Sequence, residues 1–439
     1  MMKIEIIKSN KDKQWVKEEY IPTSFLDPAK ITINPDKENQ TIFGFGGAFT
    51  DAAEITFHSL SNDKQQEYLK AYFSKEGLNY NLGRYPIMSC DFSNHSYEYL
   101  SDPDINHFSI ECDKNRIAMI KEVQKLQPNL WIIGASWSPS TFMKDNDDRL
   151  RGGKLKKEYY SLWADVLLKT VTSLKEVGIE LNCLTAQNEP LATQTWESCI
   201  YSSEEEATFL KDYLIPQAKK SIPNLEFMIW DHNRDVMLKR ADEMFASGLS
   251  QKDIFGIAFH WYDRIFFEEV KKTHQKYPTM HLLMTEGCVE LLMDDNKGLG
   301  SWENGLRYGV NMIKDINNGC EGYIDWNLSL NMQGGPNHVG NFCEAPLLID
   351  KDHDEIKYMP SYFVIGHFSK FMPKGSVVVE SISSDENLLV LTAKKDNQII
   401  INILNESNED KPAKIEIGKL SSLEVNLIRK SIYTFIINK

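Results

Sequence analysis

The sequence has no apolar run approaching the ~18 residues of a membrane-spanning helix. Its first ten residues also lack the apolar core of roughly 7–15 residues that a secretory signal needs. Stable membrane insertion is therefore not expected, and a cytoplasmic setting is. Cysteine is sparse: seven residues scattered through 439, with no Cys-x-x-Cys pair. That excludes a disulfide-stapled scaffold and predicts free thiols. Positive charge is in deficit, with 49 Lys+Arg against 63 Asp+Glu and a net charge of −14. A nucleic acid or an anionic membrane would be repelled, so neither is an expected partner. No compact metal-ligand pattern such as His-Glu-x-x-His is present, and no metal or cofactor is expected. The glycine-rich stretch Gly44-Phe45-Gly46-Gly47 lacks the third glycine and the helix start of a dinucleotide fingerprint. This weakens the case for a doubly wound open sheet.

What is present is ordinary for a globular chain, 42% apolar and 26% charged. The length exceeds the ~250–300 residues that one core supports, so a large domain with a smaller companion is the prior. Apolar runs that end in polar residues or glycine recur eight times, at 42–49, 80–86, 130–137, 181–186, 227–230, 255–262, 281–285 and 323–328. Segments with apolar spacing near 3.6 lie between most of them: 64–73, 116–126, 159–177, 207–218, 236–246, 266–274 and 305–317. This alternation predicts an α/β fold, a (β/α)8 TIM barrel, whose site is built from the C-terminal strand ends. After residue 373 the pattern becomes short aliphatic runs separated by Asn, Asp, Gly and Ser, which predicts an attached all-β sandwich. The expected division is 1–38 for strands lent to the sandwich, 39–373 for the barrel and 374–439 for the sandwich.

Two of the run ends deliver a glutamate. The fourth ends in Gln187-Asn188-Glu189-Pro190, and the proline stops the ladder and predicts extended geometry for Glu189. The seventh ends in Thr285-Glu286-Gly287. Two carboxylates on separate strand tips are the apparatus for cleaving a glycosidic bond. Singly, Glu189 reads equally well as an acid complementing a helix N-terminus, and Glu286 as a surface carboxylate. The other tips carry Arg84, Asp91, Trp137, Asp231, His232, His260, Tyr262, Trp326 and, further along its loop, Asn341. Aromatic faces and hydroxyl-reading amides and carboxylates are what a sugar site wants. Asn188 suits a sugar 2-hydroxyl. Arg84 suits an ion pair that keeps Glu286 charged, and Tyr262 a hydrogen bond to it. His260 on its own reads as a core histidine, and each tryptophan as core packing.

These residues sit in strings that resemble glycoside hydrolase family 30: GFGGAFTD (44–51), NLGRYP (81–86), SCDFS (89–93), ASWS (135–138), TAQNEP (185–190), HWY (260–262), EGC (286–288), GSW (300–302), DWNL (325–328), GGPN (334–337), NF (341–342) and GHFSKF (366–371). The resemblance implies a barrel with a β-sandwich packed on it and hydrolysis of a β-glycoside with retention, of the β-glucosidase and glucosylceramidase type. β-Xylosidase and β-1,6-glucanase activities are the alternatives within the family. A non-catalytic carbohydrate-binding barrel is the alternative of another class. It implies Glu189 as acid/base and Glu286 as nucleophile. Asp91, Trp137, Asn188, Trp326 and Asn341 match sugar-holding positions, and Arg84 and Tyr262 match neighbours of the nucleophile. Such a pair requires Glu189 to hold its proton while Glu286 stays ionised. The family pattern breaks at Phe142 and in loops 94–108, 144–154 and 290–299, which leaves the aglycone side open.

Overall fold

The computed structural model describes residues 3–291, 298–419 and 421–438. Part of the departing loop 290–299 therefore lies outside the described residues.

Eight parallel strands close into a barrel: Gly44–Ala48, Leu82–Ile87, Trp131–Ser136, Cys183–Thr185, Glu226–Asn233, Gly256–His260, His281–Glu286 and Gly322–Asn327. Each pairs with its neighbour in sequence, and the eighth pairs with the first. All eight coincide with the apolar runs, because strands buried on both faces read as continuous apolar stretches. Inward side chains Leu82, Ile133, Cys183, Met228, Ala258, Leu283 and Ile324 form one buried cluster, so the barrel is a packed core and not a pore. Gly46 permits the first and second strands to close up, since a Cβ there would stand 2.1 Å from the Leu82 carbonyl oxygen.

Helices separate the strands, including Asn62–Phe73, Lys114–Leu126, Tyr160–Glu176, Met237–Ala246, Phe267–Lys276 and Trp302–Asn317. Their apolar faces pack on the outside of the barrel in the largest core cluster. The helical stretch between strands four and five begins at a capping box, Ser202 with Glu205. It passes through a π-helical segment, Phe209–Leu214, just before Pro216, which has no N–H to give. Among the described residues no helix is long and apolar enough to cross a membrane.

The companion domain is a nine-stranded sheet that shares one core. Lys3–Ser9, Val16–Glu18 and Ala29–Thr41 join it from the N-terminal side. Lys3–Ser9 lies antiparallel to Ser431–Asn438, with Lys3 opposite Asn438. Ala29–Thr41 leads directly into the first barrel strand and is bent by register shifts against Val377–Ser383.

Barrel and sheet meet at helix Pro360–Ser369. Trp15 donates to the Phe363 carbonyl at 2.9 Å. Gly366 lets the indole lie flush, as a Cβ there would come within 2.1 Å of it. His367 is fully buried between Thr434 Oγ1 (2.7 Å) and Ser9 Oγ (2.8 Å). Burial lowers its pKa to about 3, so it is a neutral link between the two domains.

Candidate active site

All ten expected residues gather at the C-terminal end of the barrel. A pocket of about 300 Å³ opens there, lined by Asp91, Trp137, Asn188, Glu189, Tyr262, Glu286, Trp326 and Asn341. Arg84 and His260, both completely buried, stand behind that wall.

Arg84 projects from the second strand and holds three partners. One guanidinium nitrogen contacts Glu286 Oε2. The other reaches Asn188 Oδ1 and Asp231 Oδ2, each at 2.8 Å. Its cation lies 4.8 Å from the Trp137 ring and 5.6 Å from the Trp326 ring. Those two indoles stack at 5.1 Å and 18°. Tyr262 donates to the other oxygen of Glu286 at 3.0 Å. Gly287 is required beside it, because a Cβ would stand 2.7 Å from the Trp261 indole.

Glu189 lies four residues past the fourth strand. Pro190 predicts an extended backbone for it, but its φ is 46°. The cause is visible in its N–H, which donates to the Asp231 carbonyl at 3.0 Å and pulls the chain toward the fifth strand. Trp230 (φ 79°) and Asp231 (φ 56°) are also left-handed, at the point where the fifth strand shifts register against the sixth. Such conformations cost on the order of 1–3 kcal/mol each and persist only where the surroundings impose them. Glu189 Oε1 stands 3.1 Å from His260 Nδ1 and 4.0 Å from His232 Nε2.

Asp231 is the hub of the rear wall. One oxygen accepts from Thr185 (2.8 Å) and Arg84. The other accepts from Thr285 (2.6 Å) and lies 3.0 Å from His260 Nε2. The two glutamates are thus joined behind the pocket through His260, Asp231 and Arg84. On the opposite side, Asn341 donates to Asp91 Oδ2 at 3.0 Å. Burial, then the charge of Glu286, pushes Asp91 well above the usual carboxylate range.

At rest the shifts of the two carboxylates run opposite to those expected of the pair. Burial alone would lift Glu189, but His232 and His260 outweigh it and hold it at about 2. Burial lifts Glu286, against the pull of His260 and Arg84. For His260, burial disfavours charge, but Glu286, Asp231 and Glu189 outweigh it and raise it to about 9. The proton needed on Glu189 therefore rests on His260, one hydrogen bond away.

One side-chain oxygen or nitrogen from each of Glu189, His260 and Glu286 lies within 4.8 Å of the others. That is a donor set a metal could use, although Arg84 already neutralises Glu286 from behind. His232, Gln194, Trp196, Asn233, Cys288, Glu290 and Cys343 complete the pocket wall. Most of their sequence signals are weak, since they sit in loops, at a strand end or in strands of two residues, where no periodicity shows.

A closed (β/α)8 barrel that brings two carboxylates together at its C-terminal face is the architecture of a barrel glycoside hydrolase. Comparison with known proteins agrees. The family model described as the glycosyl hydrolase family 30 TIM-barrel domain matches residues 42–372, and the chain belongs to that family. It is a glycosidase that hydrolyses O-glycosyl bonds. Lysosomal acid glucosylceramidase of Mus musculus is 32% identical, over 92% of this chain and 83% of its own length. An endo-1,6-β-D-glucanase of Trichoderma harzianum is 26% identical, over 79% of this chain and 72% of its own length. The crystal structure of SrfJ from Salmonella typhimurium superposes with a TM-score of 0.94 at 33% identity, covering 100% of both chains.

Proposed function

We propose that the protein releases β-linked glucose from a β-glucoside, with Glu286 as nucleophile and Glu189 as acid/base. The observation that carries this reading is the approach of the two carboxylates. Oxygens within 4.8 Å of each other suit the ~5–5.5 Å spacing of a retaining pair and leave no room for the water of an inverting pair, about 6.5–9.5 Å.

Each carboxylate is equipped for its part. Arg84 and Tyr262 occupy one oxygen each of Glu286, favour its charged form and aim it at the anomeric carbon. Glu189 receives its proton from His260 Nδ1 as the entering sugar expels water and burial gains on the charge of the histidines. It passes that proton to the leaving oxygen while Glu286 forms the glycosyl ester. The ester removes one negative charge from the pocket, so Glu189 holds its proton less tightly and serves as base toward water. Asn188, fixed by Arg84, faces the 2-hydroxyl. Asp91 and Asn341 read hydroxyls on the far side of the ring, and Trp137 and Trp326 form its floor.

Glucose is favoured by the glucose-binding pattern of Asp91 and Trp137 and by the glucosylceramidase relative. A pocket of about 300 Å³ favours one terminal sugar over a polymer. The β-1,6-glucanase reading is supported by the fungal relative, and a β-xylosidase would fit the same carboxylate pair. The presence of both carboxylates weighs against a non-catalytic binding barrel. Nitrophenyl β-glucoside, β-xyloside, β-fucoside and β-galactoside, with gentiobiose and glucosylceramide, separate these readings. Glu286→Gln should abolish turnover on all of them. Glu189→Ala should abolish it on poor leaving groups, with partial rescue by azide. Normal hydrolysis by Glu286→Gln, or no rescue in Glu189→Ala, would overturn the assignments.

A further inference from the structure

After the seventh barrel strand the chain forms a two-residue strand, Val289–Glu290, antiparallel to Cys343–Glu344 from the loop after the eighth. Val289 lies opposite Glu344, and Glu290 opposite Cys343. Cys288 therefore stands diagonally across from Cys343, on the same face of the ladder. Both belong to one buried cluster beneath the pocket. Both residues line the pocket and are otherwise closed off, each 1% exposed. Cys288 Sγ also lies 3.6 Å from Tyr262 Oη, the hydroxyl that donates to Glu286. Cys343 Sγ lies 3.9 Å from the Asn341 carbonyl.

We propose that Cys288 and Cys343 form a dithiol clamp for a soft, thiophilic divalent cation of the Cd(II) kind, seated in the wall of the pocket. The register favours a bridging ion over a disulfide. Diagonal neighbours in an antiparallel pair have Cα atoms about 7–8 Å apart, beyond the ~4.4–6.8 Å that a disulfide spans. An ion bound to each sulfur, at about 2.3 Å for zinc and further out for the larger cadmium ion, fills that gap. Thiolates select soft d10 ions over the hard cations that carboxylates prefer. The step needs no oxidant: each thiol donates a sulfur electron pair to the ion and releases its proton to solvent, two protons per ion. A cation there sits against Tyr262 and competes with the sugar. That last point rests on the pocket being the sugar site; the clamp itself does not.

The test is titration of Cd2+ alone into the reduced, desalted full chain. It is followed by ultraviolet sulfur-to-cadmium charge-transfer absorbance, with released protons counted in parallel. One ion per chain, the band and two protons are expected. Cys288→Ala and Cys343→Ala should each abolish the band and weaken binding by at least the ~10–100-fold that loss of a mere supporting group costs a metal site. Cys112→Ser, at an exposed thiol, should keep both. If an alanine variant does not fold, protection of the wild-type thiols at 288 and 343 from alkylation by Cd2+, mapped on peptides, gives the same decision. No band in the wild type, or a band that survives both alanine variants, overturns the clamp. Glu286→Gln should lose turnover and keep the band, so failure of the catalytic assignment and failure of the clamp are read separately.

Discussion

His260 Nδ1 lies 3.1 Å from Glu189 Oε1, so the pair holds one proton between them at the point where a leaving group must be protonated. That proton is lost as pH rises through the His260 value of about 9. Activity should therefore fall on the alkaline side near that value. In His260→Gln, Glu189 must hold the proton alone, and the alkaline limb of kcat/KM should move toward lower pH by at least about one unit. A pH–rate profile with an unmoved limb would refute the shared proton.

Asp231 compensates Arg84 and fixes His260 at once. Asp231→Ala removes one side of a fully buried ion pair, which costs about 3–5 kcal/mol. Urea unfolding should show a loss of that order. Asp231→Asn, which keeps an acceptor oxygen and the size of the side chain, should lose less stability. It should still lower kcat, because Arg84 is then free to lean toward Glu286.

Asp91 has Asn341 as its side-chain partner and otherwise faces the pocket. Burial favours the uncharged form of Asp91, and a hydrogen bond between neutral groups is worth about 0.5–1.5 kcal/mol, so Asp91→Asn should lower kcat/KM on the preferred glycoside by about 2–10-fold. A panel of deoxy-sugars would locate the hydroxyl it reads: the analogue lacking that hydroxyl should lose little further in the variant.

His367 gives the stability curve a definite slope. Its folded value is about 3, and its unfolded value is about 6.5. Between these values the unfolded chain binds a proton that the folded one refuses. Its contribution is therefore complete above about pH 6.5 and is lost as pH falls toward 3. Between pH 6.5 and 5 the loss is about 1.6 kcal/mol. The change in unfolding free energy across that window should be larger in the wild type than in His367→Gln by this amount.

The barrel was legible because each parallel strand is buried on both sides and stops at a polar tip. Trp131–Ser136 followed by Trp137, and His281–Glu286, show the break in plain sequence. The pocket-facing residues were legible for the same reason. The left-handed backbone of Glu189 was not, since it comes from an N–H bond to a strand more than 40 positions away. Nor was the weight carried by Asp231: it follows Trp230 like any tip residue, and its partners Thr185, Thr285 and Arg84 come from three other strands. The low value of Glu189 depends on where two imidazoles fall relative to it, which strand order alone does not fix. Cys288 and Cys343 met through a ladder of two residues a side, too short to leave any alternation.

Lys3 opposite Asn438 has a mechanical consequence. The first strand and the last lie side by side within the sheet, in antiparallel sense. A pull applied to the two chain ends would load that ladder one hydrogen-bonded pair at a time, as a zipper opens, and not all pairs together in shear. The barrel, suspended between these strands, would feel no tension until the zipper had run. The molecule should thus yield under small forces at its ends while its catalytic end stays intact.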